Sequence, residues 1–187
     1  STISADLIGE GILAEARGGE AAALRRGRPQ VALGLNPRAA TVVSVVLSLN
    51  ALSAALIDYS GRAIAHDISR QPTLTLGEAE LVEAVAACVR RLLARAGDGH
   101  GPVLRMTMAV QGITDSDARK LLWSPITPHS DIGFAATLEA EFGIPVTVEN
   151  DCNMIAVALR ARAPERHRDN FFTILLSNGI GMGLVLR

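Results

Sequence analysis

Residues 42–68, VVSVVLSLNALSAALIDYSGRAIAHDI, decide the fold class. Segments 42–49 and 51–57 are aliphatic runs of strand length, and the turn residues 58–61, DYSG, lead to a third predicted strand near residues 62–68. The block 42–57 is shorter than the roughly 18 apolar residues of a membrane helix and contains Ser44, Ser48 and Asn50. The pattern therefore predicts three consecutive antiparallel strands in a globular domain, with the strands of residues 42–57 buried.

Downstream, helical and strand patterns alternate. Residues 75–95 carry the strongest helical periodicity, with a capping box from Thr75 to Glu78 at the start and Gly97 after the end. Further helices are predicted over residues 132–142 and 153–162, and further strands over residues 103–110, 146–148 and 171–176. This alternation predicts an α/β fold of two or more layers.

Upstream, residues 4–14 show a helical apolar side that stops near Gly11. A basic turn, Arg25-Arg26-Gly27-Arg28-Pro29, follows, and the alternating apolar residues 31–35 then predict a short strand. The basic turn is either solvated surface charge or a compact cationic element suited to a narrow DNA minor groove.

The composition excludes several classes of protein. Of 187 residues, 49% are hydrophobic and 20% are charged, so the chain is neither disordered nor of low complexity. Aromatic residues are only 3%, which argues against a base-stacking platform, and the net charge of −1 requires any nucleic-acid contact to come from a local cluster. The distant Cys88 and Cys152 indicate neither a disulfide nor a zinc site, and no secretory signal opens the chain. We expect a cytoplasmic protein.

The triplet Glu149-Asn150-Asp151 stands where a strand passes into a helix. Ligands of α/β proteins collect at such strand ends, where Asp151 could accept a hydroxyl proton and Asn150 could bind a hydroxyl. The same residue types also cap helices routinely. The triplet is either a ligand site or a helix cap.

A glycine-rich turn, SNGIGMG, occupies residues 177–183 between two apolar runs. Its alternating glycines, Gly179, Gly181 and Gly183, allow backbone amides to approach a phosphate closely. They are equally typical of a hairpin that needs unusual backbone angles.

Four segments, in this order along the chain, are similar to segments of one known protein family: ALIDYSGRAIA, MAVQGITD, IPVTVENDCNMIAVAL and NGIGMGLV. From about residue 42 to residue 187 the chain resembles the ROK family of bacterial sugar kinases and sugar-responsive repressors. Upstream, STISADLIGEGIL and RGRPQVALGLNP resemble the end of the winged-helix module that precedes the ROK domain in repressors.

The resemblance implies an actin-like (ribonuclease H-like) α/β lobe behind a winged-helix remnant, in a chain cut at both ends. It implies three units: residues 1–37 with the wing, residues 38–145 as the first ROK lobe, and residues 146–187 as the start of the second. Ser1, Thr2 and Ser4 would lie in the recognition helix and Arg25, Arg26 and Arg28 in the wing. The family's zinc site would lie beyond Arg187, so we assign no metal or cofactor to this chain.

The resemblance also identifies matches and departures at the ligand sites. Asn150 and Asp151 match the family's hydroxyl-binding pair, and Gly112 matches the glycine before the substrate. The kinase branch has an Asp-x-Gly-Gly-Thr phosphate loop, whereas this chain has Val46, Ser48, Leu49 and Asn50 there. Three further departures are Ser177-Asn178 for Gly-Thr, Ile126 in place of an Asn, and Gln111 in place of a Pro.

These features favour a bacterial transcription regulator that binds operator DNA through the winged helix and a carbohydrate or sugar phosphate through the actin-like domain. Such regulators are expected to form homodimers or larger homo-oligomers. One alternative is a ROK sugar kinase with Asp151 as the general base and ATP as the donor. Another is a protein that retains the fold in a structural or dimerising role and binds no effector. The altered loop over residues 46–50 predicts that the chain is not an enzyme.

Overall fold

The computed structural model describes residues 2–15, 32–177 and 179–186. Its first elements are helix α1 (Thr2–Gly9) and strands β1 (Leu13–Glu15) and β2 (Leu33–Leu35), which pair antiparallel. The helix predicted over residues 4–14 therefore lies earlier and is shorter, because Gly11 adopts a left-handed φ of 74° and turns the chain into β1. Ser1, Arg25, Arg26 and Arg28 lie outside the described residues, so the wing stays a prediction.

A mixed five-stranded sheet forms the centre of the fold, in the order β5-β4-β3-β6-β9. Its strands are β3 (Thr41–Ser48), β4 (Ala51–Asp58), β5 (Ala63–Arg70), β6 (Val103–Val110) and β9 (Val146–Asn150). Strands β3, β4 and β5 are antiparallel, as predicted, whereas β6 runs parallel to both β3 and β9. Strand β9, which the sequence analysis places in a second lobe, is thus the edge strand of the first sheet.

Two helices, α2 (Glu78–Ala96) and α3 (Phe134–Phe142), accompany this sheet. Helix α2 contacts β4 and β5, α3 contacts β9, and both contribute to one continuous core. The stripe predicted for α2 is largely confirmed by the complete burial of Leu81, Val85, Val89 and Leu92. Residues at alternate positions of β3 and β4 contribute to this core because successive strand residues point to opposite faces.

The predicted capping box of α2 is wrong by two residues. The helix begins at Glu78 after Gly77, whose backbone N–H donates to Glu80 Oε2 at 2.8 Å. Thr75 does not cap the helix because its hydroxyl donates to the Pro72 carbonyl at 3.1 Å within the preceding turn. Local turn formation thus competes successfully with capping at Thr75.

Five further elements lie on the side where the parallel strands end. They are β7 (Ile113–Thr114), β8 (Leu121–Trp123), helix α4 (Asp151–Arg162) and the hairpin of β10 (Phe171–Leu176) and β11 (Ile180–Val185). Strands β7 and β8 form a short antiparallel ribbon, and the hairpin packs on α4. Among the described residues, none of the helices combines the length and apolar character of a membrane span.

Candidate ligand-binding cleft

A cleft of about 350 Å³ lies where β6 and β9 end, between the β7–β8 ribbon and the β10–β11 hairpin. Its walls are supplied by Ser48, Gln111, Gly112, Ile113, Trp123, Pro125, Asn150, Asp151, Cys152, Leu175, Ser177, Gly179, Ile180 and Gly181. Carboxyl ends of parallel strands are common ligand positions in α/β folds because helix N-termini and loops converge there. Five residues predicted from the sequence, Gly112, Asn150, Asp151, Gly179 and Gly181, meet in this cleft.

Asn150 caps helix α4. Its Oδ1 accepts hydrogen bonds from the backbone N–H groups of Cys152 at 2.9 Å and Asn153 at 3.1 Å. Its Nδ2 donates to the Gly112 carbonyl at 2.7 Å, which ties the end of β9 to the end of β6. The capping interpretation of Asn150 is therefore confirmed, and α4 starts two residues earlier than predicted.

Asp151 is the first residue of α4 and lines the cleft. Its Oδ1 accepts from the Cys152 backbone N–H at 2.9 Å and from the Cys152 thiol at 3.4 Å. Within the described part of the chain, no hydrogen bond to Oδ2 is recorded. A carboxylate at a helix N-terminus is stabilised by the helix dipole, so Asp151 can present a charged acceptor to a ligand hydroxyl.

Cys152 is a poor nucleophile in this setting. Burial, together with the hydrogen bond to Asp151 and the charge of that carboxylate, raises the pKa of the Cys152 thiol to about 11. The thiol thus stays protonated at neutral pH and packs against the hairpin.

The alternate glycines bring the hairpin close to α4. A Cβ atom on Gly181 would lie 2.4 Å from Cys152 Sγ, and one on Gly183 would lie 2.1 Å from the Cys152 carbonyl oxygen. Gly183 is not among the residues that line the cleft. Close packing is sufficient to explain Gly181 and Gly183, and their contact with a phosphate stays a prediction.

Glu149 holds together the elements around Asn150, a structural role that was not predicted from the sequence. Its Oε1 accepts from the Asn150 N–H at 2.7 Å, from Asn153 Nδ2 at 3.2 Å and from Thr114 Oγ1 at 3.3 Å. One carboxylate oxygen therefore joins β9, α4 and β7. The position of Glu149 next to Asn150 in the sequence indicated that it belongs to this region. Its contact with Thr114 could not be inferred from the sequence, because the two residues are 35 positions apart.

The altered positions of the expected phosphate loop fall at a tight turn. Leu49 and Asn50 connect β3 to β4, and Asn50 has a φ of 55°. The Asn50 N–H donates to Thr73 Oγ1 at 3.2 Å, and only Ser48 of this segment lines the cleft. Ile126 lies in the hydrophobic core, so the position expected to face the ligand does not do so.

The cleft has a negative rather than a positive character. Among its described lining residues, Asp151 is the single carboxylate, and Lys, Arg and His are absent. In the described ranges, no group of three His, Cys, Asp or Glu residues is arranged to hold a metal ion. Thr2 and Ser4, predicted to contact DNA, lie on α1 and outside this cleft.

The model of the ROK family matches residues 43–187, well over half of the chain. The chain belongs to the ROK family. It is 22% identical over 164 residues to the xylose repressor of Bacillus subtilis (strain 168), covering 86% of this chain and 41% of the repressor. The putative xylose repressor of Caldicellulosiruptor sp. (strain Rt8B.4) is 23% identical over 188 residues, covering 100% of this chain and 46% of that protein. The chain thus spans less than half the length of these ROK relatives.

Solved structures support the same fold. A ROK family transcriptional regulator, a homolog of the E. coli MLC protein, superposes with a TM-score of 0.75 at 21% identity over 99% of this chain and 46% of its own. The ROK family glucokinase from Streptomyces griseus, in complex with glucose and AMPPNP, gives a TM-score of 0.65 at 24% identity over 78% of this chain and 44% of its own. The fold is therefore the α/β fold of ROK proteins, which regulators and kinases share.

Proposed function

We propose that this chain is part of a sugar-responsive transcription regulator, in which the cleft binds a carbohydrate and the N-terminal unit contributes to operator binding. The observation that carries the proposal is the position of Asp151, which lines a cleft at the strand ends with one carboxylate oxygen engaged by Cys152. A carboxylate in such a position suits two neighbouring sugar hydroxyls. The names of the repressor relatives support the regulatory role.

The electrostatics of the cleft favour an uncharged sugar over a sugar phosphate. A phosphate placed beside Asp151 would meet a like charge, and the described lining residues supply no cation to offset the repulsion. Of the two effector classes that the sequence left open, we therefore propose the neutral carbohydrate.

The DNA-binding part of the proposal rests on sequence. The residues in question are Thr2 and Ser4 of α1, with Ser1, Arg25, Arg26 and Arg28 outside the described ranges. Helix α1 contains no buried residue, and Thr2 is exposed. Hydroxyls at a helix start can contact phosphates, and arginines can enter a narrow minor groove.

A thermal-shift titration with D-xylose, D-glucose and glucose 6-phosphate tests the effector proposal. We expect at least one neutral sugar to raise the melting temperature, because a ligand that binds only the folded state stabilises it, and we expect glucose 6-phosphate to have no effect. Asp151→Ala should abolish the shift, whereas Asp98→Ala, at an exposed position after α2, should retain it. An unchanged shift in Asp151→Ala would refute the proposed role of this carboxylate.

The alternative function is a ROK sugar kinase, which the glucokinase likeness favours. The turn at Leu49 and Asn50 argues against a kinase. The Asn50 N–H is already bonded to Thr73, and the turn has no paired glycines that would allow a phosphate to approach. Phosphoryl transfer depends on such positioning. ATP consumption in the presence of the same two neutral sugars separates the functions, and turnover of about 1 per second or faster would establish the kinase.

A further inference from the structure

An apolar wall stands on one side of the cleft, formed by the β7–β8 ribbon. Ile113 and Trp123 are direct cross-strand partners, which places their side chains on the same face of the ribbon. Both line the cleft, with Pro125 beyond them, and both remain more than half exposed, at 58% and 55%. Large apolar side chains that stay exposed inside a cleft indicate a surface that a ligand covers.

Polar groups line another part of the cleft. Asp151 belongs to α4, and Gln111 and Ser48 come from the ends of β6 and β3. The cleft therefore offers hydrogen-bonding groups from one direction and a flat aromatic surface from another. A pyranose ring has matching surfaces, since its hydroxyls project from the rim while one ring face exposes mainly C–H groups.

We infer that Trp123 is a ligand-contacting residue that selects cyclic sugars by stacking its indole against the C–H face of the ring, with Ile113 beside it on the same face of the ribbon. This inference rests on the proposed carbohydrate function of the same cleft and adds the residue that sets ring specificity. An indole supplies a large rigid apolar surface at low cost in conformational entropy, so a stacked ring gains affinity that an acyclic polyol with the same hydroxyls does not.

The chain contains a single tryptophan, so its emission reports directly on this wall. Titration with D-xylose should change the Trp123 emission with the same midpoint as the thermal shift, and the acyclic polyol xylitol should bind more weakly. Trp123→Ala should weaken D-xylose binding roughly tenfold, and Trp123→Phe should recover part of the loss. If D-xylose does not bind, D-glucose is used as a second cyclic sugar in the same titrations.

Leu122→Ala is the matched control, because Leu122 is the neighbouring exposed apolar residue of β8 and does not line the cleft. It should leave sugar affinity unchanged. Circular dichroism of each variant confirms that the fold is retained. If a sugar raises the melting temperature but leaves Trp123 emission unchanged, and Trp123→Ala binds it normally, the stacking role is wrong while the carbohydrate function stands. If neither sugar binds the parent chain, both proposals are overturned.

Discussion

At the scale of single residues, contact distances separate glycines that the sequence shows as one pattern. Gly181 and Gly183 face Cys152 so closely that neither position has room for a side chain. Gly179 is less constrained, since the nearest atom to its absent Cβ is Gln111 Nε2 at 3.2 Å. From the sequence, the glycine pattern was compatible with both phosphate binding and hairpin packing. The close approach of Gly183 to the Cys152 backbone explains physically why packing requires a glycine there.

Gly183→Ala should destabilise the protein by about 1–3 kcal/mol, because its Cβ would lie 2.1 Å from a backbone carbonyl that cannot move away alone. The measurement is the urea midpoint of unfolding. Gly99→Ala is the control, since a Cβ there has no atom within 4 Å, and its effect should stay within about 0.5 kcal/mol. Equal stability of the two variants would show that the hairpin is not packed tightly on α4.

At the scale of elements, a buried carboxylate fastens α2 to the edge strand β5. Asp67 is 2% exposed and accepts from Arg91 Nη2 at 2.7 Å, while Arg95 Nη1 lies 2.8 Å from its other oxygen. Burial by itself would raise the pKa of Asp67, but the hydrogen bonds from Arg91 and Cys88 and the charges of the two arginines outweigh it and hold that pKa below its ordinary value.

Asp67→Asn should therefore lower the free energy of unfolding by about 1–3 kcal/mol at pH 7. Because the pKa is lowered on folding, the carboxylate stabilises the protein above its unfolded pKa of about 3.9, and this contribution is lost as the pH falls through the folded value. The stability difference between the parent and Asp67→Asn should consequently shrink below about pH 4. Denaturant titrations from pH 7 to pH 3 check this, with the exposed Asp98→Asn as control. A difference that does not depend on pH would contradict the ion-pair account.

The elements also show where local sequence rules hold. The three antiparallel strands and the apolar stripe of α2 were predicted because runs of β-branched residues and helical periodicity are patterns of residues that are close together in the sequence. The start of α2 was misplaced because the Thr75 hydroxyl could bond either to a turn carbonyl or to the end of the helix. The sequence does not decide between the two, and in the structure the hydroxyl bonds to the turn carbonyl. The pairing of strand β9 with β6 could not be predicted for a related reason, since it joins residues about 40 positions apart.

At the scale of the whole molecule, the candidate ligand cleft and the residues predicted to contact DNA belong to different parts of the chain. The cleft lies at the end of the central sheet, and α1 contacts β1 of the N-terminal ribbon. With a net charge of −1, the proposed DNA affinity would have to come from a concentrated group of arginines. Arg25, Arg26 and Arg28 are the group that the sequence offers.

An Arg26→Ala, Arg28→Ala double variant should bind A/T-rich duplex DNA more weakly than the parent. Each arginine that neutralises a phosphate contributes about 0.9 to the slope of log affinity against log salt, so the slope should fall by up to about two units. Fluorescence anisotropy at several salt concentrations measures it. Arg160→Ala, Arg162→Ala, in the last turn of α4, is a charge-matched control that should preserve the slope. If the two double variants behave alike, RGRP is only a solvated turn.

The sequence by itself determined the α/β class, most helix and strand positions and the family, because these depend on local periodicity and on ordered motifs. Only the tertiary structure decided which residues share the cleft. Ser48, Gln111, Trp123 and Ile180 are far apart in the chain and carry no common local signal, yet they line one cleft with Asp151. They meet because parallel strands end at one edge of the sheet and the hairpin packs back on α4, and both are products of long-range pairing that no local pattern encodes.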